Sequence, residues 1–162
     1  MKTGIFVGLV LLLVPLQATV LGSVSPFGIR PDLCLIAACL TGLLTGQVHG
    51  FILGFGLGFA QDLFSASDLW LNTITKSGVG FLAGLIAKNL ANIASHSTFL
   101  LMAIFSIFSG VVFLVSSRVG MDLWDVLQGF PSILFPQALF DGLVAVAAHW
   151  VIIRWTPDPV SL

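Results

Sequence analysis

Apolar runs broken by short clusters of Gly, Pro, Asp and Lys divide the chain into six segments. A helix needs about 20 apolar residues to cross the hydrocarbon of a bilayer, and each run is read as one such span. They cover about residues 4–23, 31–46, 50–66, 72–92, 98–117 and 132–154. The first holds Pro15 and resembles a signal peptide, but its apolar stretch is as long as a full span and Val20 and Gly22 make a poor cleavage site, so it is kept as a helix. The second opens at Arg30-Pro31, where Pro31 suits a first helical position. The polar turn Thr45-Gly46-Gln47-Val48-His49 joins it to the third span as a helical hairpin. Lys76 and Lys88 interrupt the fourth run, the fifth is free of charge, and the sixth has Pro136 in its first turn and Asp141 deep inside. Over about 121–128, Leu123, Trp124 and Leu127 share one helical face while Asp122 and Asp125 share another, which predicts a short helix lying on the membrane surface.

Composition turns this pattern into a class. The chain has 162 residues, 57% hydrophobic and 8% charged, with a mean hydropathy of +1.10. A soluble domain carries roughly 25% charged residues. Six spans use about 120 residues, so no soluble domain fits in the remainder and residues 1–162 are expected to form one integral membrane domain. The expected fold is all-α and polytopic, six transmembrane helices in a compact bundle. A net charge of -1 without a basic tract excludes nucleic acid as a partner. Cys34 and Cys39 lie five apart, about 140° around a helix, and can neither close a disulfide nor share a metal. Lys2, Lys88 and Arg154 fall on one side of the membrane, and Arg30, Arg118 and the Lys76 end of the fourth span on the other. With Trp150 and Trp155 beside Arg154 at the last interface, the bias places both termini in the cytoplasm. Asp32, Asp62, Lys76, Asp122 and Asp125 then belong to the outer half or the outside.

Charged side chains inside spans are costly, and they are the first candidates for chemistry. Asp62 closes the third span and Lys76 opens the fourth, so a hairpin sets them at one depth and predicts an Asp62–Lys76 ion pair. A catalytic Asp62–Asp141 pair sharing a proton is the alternative. It is set aside because Lys76 would hold Asp62 ionised and Asp141 lies nearer mid-membrane. Asp32 and Asp141 remain as further intramembrane polar residues. Gly50, Gly54 and Gly58 recur every four residues with Gly56 between, and Gly80 and Gly84 repeat the theme in the fourth span. Such stripes allow close helix approach, either inside the fold or as a groove for a partner helix. Gly54 or Gly56 is the expected groove position. His49 and His96 read as loop residues, and His149 lies two turns beyond Asp141, out of hydrogen-bond reach. No catalytic motif, metal constellation or cofactor site emerges, and no enzyme is expected.

Several of these segments together resemble the rod shape-determining protein MreD family. They are Pro31-Asp32-Leu33, Gly46, the run from Gly54 to Phe64 ending in Asp62-Leu63-Phe64, Leu71-Asn72, and Gly80-Phe81-Leu82-Ala83-Gly84-Leu85. Trp70 and Leu71 stand where that family prefers a Leu-Gly turn. The resemblance implies a multi-pass subunit of the bacterial inner membrane, a scaffold of the cell-elongation machinery. Its implied partners are a bitopic MreC-type protein, RodA with a class B penicillin-binding protein, and indirectly MreB. It also implies a fold similar to the substrate-binding components of energy-coupling-factor vitamin transporters, which supply the rival function. Vitamin sites gather several polar or aromatic groups on their ligand, and a chain without Tyr and with few polar residues in its outer loops fits them poorly.

Overall fold

The structure is a computed structural model that describes residues 8, 12–17, 31–64, 70–90, 94–117 and 134–155. The expected surface helix over 121–128, both ends of the first span and the charges Lys2, Arg30 and Arg118 lie outside the described residues. Residues 12–17 are helical and are called α1; α2 is Leu33–Thr45, α3 Gln47–Phe64, α4 Leu71–Ala87, α5 Ser95–Ser117 and α6 Phe135–Trp155. No strand occurs among the described residues.

The breaks between helices follow from local chemistry. Gly46 has φ 97°, a left-handed conformation that glycine adopts without a Cβ clash, and its N–H closes α2 on the Gly42 carbonyl at 3.0 Å. The turn is thus a single residue, and Gln47, Val48 and His49, expected in a loop, begin α3. Helix α4 ends at Ala87 rather than near 92, where turn bonds from Asn89 to Ile86 and from Leu90 to Ala87 replace the helical ladder. Helix α5 begins at Ser95, ahead of the expected start, which puts His96 in its first turn.

Three helices pack through glycine. A Cβ at Gly50 would overlap the Gly80 carbonyl, one at Gly54 the Lys76 carbonyl, and one at Gly58 the Asn72 carbonyl, so α3 and α4 run antiparallel with their backbones in contact. Gly42 of α2 meets the same α4 backbone at Gly80, and Gly84 meets Gln47. Lipid tails are as apolar as Leu, so association in a bilayer relies on such close van der Waals approach. Helices α5 and α6 pair with each other along Thr98–His149 and Ser106–Asp141. One apolar cluster joins the two groups, with Leu35, Ile36 and Leu40 of α2, Val79 of α4, Met102 and Phe105 of α5, and Ala145 of α6. A smaller one places Val14 of α1 against Cys34, Leu53 and Leu57. Among the described residues two helices are by themselves long and apolar enough to cross a membrane, Ser95–Ser116 and Phe135–Arg154.

Candidate functional site

Polar side chains from all six helices converge where α2, α4 and α6 begin and α3 ends. Asp32 is the N-cap of α2, and its Oδ1 accepts from Leu35 N at 3.0 Å, satisfying one of the donors that every helix start leaves open. The same oxygen accepts from Gln17 Nε2 of α1 at 3.0 Å, while Gln17 Oε1 accepts from Cys34 N at 3.1 Å. The other carboxylate oxygen of Asp32 pairs with Lys76 Nζ at 2.9 Å. Lys76 is fully buried, donates also to Asn72 Oδ1 at 2.6 Å, and lies 5.9 Å from the centre of the Phe113 ring of α5. Asp141, fully buried on α6, accepts from Asp32 N at 3.0 Å and from the Ser106 hydroxyl of α5 at 2.6 Å.

The expected Asp62–Lys76 ion pair is not the pair that forms. Lys76 reaches across to Asp32, and Asp62 takes over the start of α4. Its two oxygens accept from Asn72 N at 3.1 Å, Asn72 Nδ2 at 3.0 Å, Thr73 N at 2.8 Å and Thr73 Oγ1 at 2.6 Å. Trp70, at the N-cap of α4, makes no capping bond of its own, so α3 supplies the cap from outside. The expected equal depth does not hold at the backbone, where Lys76 lies level with Gly54, two turns before Asp62. The partner differed because open N–H groups at a helix start and the positive end of its dipole hold a carboxylate well without any cation. Asn72 links the two halves, donating to Asp62 and accepting from Lys76. Asp32 and Asp141, expected only as intramembrane polar residues, are direct neighbours.

The glycine candidates divide. Gly50, Gly54, Gly58, Gly80 and Gly84 all sit in the internal seams, so Gly54 offers no groove to a partner; Gly56 is half-buried. On the α3–α4 pair an open position is Gly78, where a Cβ would meet nothing within 4 Å. It floors an apolar groove of about 430 Å³ on the outer side of α3 and α4, between Val48 and Phe51 on one helix and Ile74, Ser77 and Phe81 on the other. Phe51, Phe55, Phe59 and Trp70 extend that side as a ladder of rings with centroids 6.4, 6.1 and 6.0 Å apart. Sequence reasoning passed over Gly78 because it falls outside the four-residue stripe of Gly80 and Gly84. Its helical spacing with Ile74 and Phe81 was the available signal. A second apolar cleft of about 280 Å³ runs between α2 and α6, past Ile36, Leu40, Val144 and Ala148. His49 Nδ1, in the first turn of α3, contacts Thr45 O at the end of α2, 3.1 Å away, His96 is exposed, and His149 is buried beside Thr98. No group of three metal-ligating side chains occurs among the described residues.

Charges bonded to one another inside an all-helical bundle, with large apolar side chains covering its outside, define a small helical membrane protein. The family model described as rod shape-determining protein MreD matches residues 2–155, and the chain belongs to that family, whose role is in rod shape determination. Searches of the curated proteins and of the solved structures return no significant match.

Proposed function

We propose that this protein is a multi-pass, non-enzymatic scaffold of the bacterial plasma membrane that holds the transmembrane helix of a bitopic MreC-type partner and so supports lateral peptidoglycan synthesis. RodA with its class B penicillin-binding protein, and MreB, are reached through that partner. The family match over residues 2–155 carries the reading. The groove between α3 and α4 is its docking surface. Ile74, Ser77, Gly78 and Phe81 follow the spacing of a helix-packing face, and Gly78 lets a second backbone come close. The vitamin-transporter alternative gains nothing from the geometry. The polar groups of Asp32, Lys76, Asp62 and Asn72 are bonded to one another, and the two clefts present mostly apolar walls.

Leu substitution at Gly78 tests the reading. The new Cβ meets nothing within 4 Å and the rest of the side chain extends into the open groove, so membrane abundance should stay normal while partner co-purification and rod shape are lost. Normal partner recovery with Gly78→Leu would remove the groove as the docking surface, and rods that persist after complete depletion of the protein would remove the function.

A further inference from the structure

The three carboxylates of the network differ in what holds them. Asp62 has four donors at the start of α4, and Asp32 has Lys76 together with Gln17 and the Leu35 amide. Among the described residues Asp141 has the Asp32 amide and the Ser106 hydroxyl, and no cation there lies within ion-pair distance of it. An ionised carboxylate in an apolar interior is strongly disfavoured unless it is paired, and this one lies inside a helix apolar enough to cross a membrane. Ser106 is the one partner that works in either direction, because a hydroxyl both donates and accepts. When it accepts from Asp141, its own proton turns to a helix carbonyl one turn back.

We propose that Asp141 is a proton-binding site of the membrane interior. As a neutral carboxylic acid it donates from Oδ2 to Ser106 Oγ, accepts at Oδ1 from the Asp32 N–H, and clasps α6 to α5 and to the start of α2. Among the described residues the charged groups around it are Asp32 on α2 and Lys76 on α4, which neutralise each other. The side chains that α1 and α5 bring to the network, Gln17 and Ser106, do not titrate, and the next titratable residue along α6 is His149, two turns away. The proton is taken from water and returned to water, and no other bond changes. Its loss would set a second free carboxylate beside Asp32 to compete for Lys76 and so loosen the clasp.

The seven acidic side chains are all Asp, which makes infrared spectroscopy of the full chain in lipid nanodiscs a direct test. At neutral pH the wild type should show the C=O stretch of a protonated carboxyl group. That band should vanish in Asp141→Asn and persist in Asp62→Asn. Asp141→Asn keeps both bonds, through its amide oxygen and nitrogen, and should accumulate to within about twofold of wild type, whereas Asp141→Ala should fall several-fold. A wild type without the band, a band that survives Asp141→Asn, or an Asp141→Asn protein that fails to accumulate would each overturn the assignment. None of these readouts involves a partner, so they stand apart from the docking proposal.

Discussion

Removing the charge of Lys76 alone leaves the largely buried Asp32 carboxylate with neutral donors among the described residues, and removing Asp32 alone strands a fully buried ammonium. Breaking a buried pair from one side costs about 3 to 5 kcal/mol in soluble proteins. Lys76→Met and Asp32→Asn should therefore each lower the folded fraction in a detergent unfolding assay, and the double variant should lose clearly less than their sum. The coupling between Lys76→Met and Asp62→Asn should be smaller, since those two meet only through Asn72. Equal couplings would count against Asp32 as the partner. Asp62→Ala removes a cap with four bonds and should cost about 2 kcal/mol, the upper end for a lost helix cap. At this scale the sequence disclosed that charges within apolar runs need partners, but it paired Lys76 with Asp62 and set Asp141 apart. It withheld which pairs form, because the reach of Lys76 across to α2 depends on a helix neighbour far away in the chain. Trp70 shows another limit. It adopts φ 78°, a left-handed conformation that favours glycine, at the turn where the family prefers a Leu-Gly pair, and nothing in its side-chain type announces that.

Between elements, the decisive quantity is how close two helix axes come. The contacts Gly50–Gly80, Gly54–Lys76 and Gly58–Asn72 repeat every four residues on both helices, so a methyl group at any of them must push α3 off α4 as a whole. Gly54→Ala is thus expected to destabilise by about 3 kcal/mol, the upper end for overpacking, because the obstructing atoms are backbone and cannot rotate away. Reduced membrane abundance, with partner recovery per folded molecule unchanged, is the expected result. Normal abundance would contradict the seam. Gly142 differs in kind. There a Cβ would meet the Phe99 ring at 2.8 Å, a side chain that can shift, so Gly142→Ala should cost less than Gly54→Ala. Helix existence and the small-residue stripe were legible in the sequence, since apolar run length and four-residue spacing are local properties. The side on which each stripe was already occupied was not legible. Gly54 and Gly78 look alike in sequence, and only the path of α4 along α3 covers one and leaves the other open.

For the whole molecule, side-chain and backbone contacts fix the relative direction of the helices. Gly50 meets Gly80 while Gly58 meets Asn72, so α3 and α4 are antiparallel; Thr98 meets His149 while Ser106 meets Asp141, so α5 and α6 are antiparallel too. Asp32 at the start of α2 reaches both Lys76 near the start of α4 and Asp141 near the start of α6, which sets those three helices side by side in one sense. The carboxylates Asp32 and Asp62 therefore gather at one end of the bundle. Lys88 after α4 and Arg154, stacked 5.0 Å from the centre of the Trp150 ring at the close of α6, mark the other. Cationic residues stay on the cytoplasmic side, and an Arg with a Trp is a usual anchor at an interface. On that rule we propose six spans with both termini inside, which can be tested without a cysteine-free background, because Cys34 and Cys39 are both buried. In intact cells a membrane-impermeant thiol reagent should label Trp70→Cys, exposed at the carboxylate end, and should leave Ser95→Cys at the start of α5 and Ser161→Cys beyond α6 unlabelled until the membrane is opened. Labelling of Ser161→Cys from outside would reverse the orientation. Labelling of both Trp70→Cys and Ser95→Cys from outside would contradict α4 as a span.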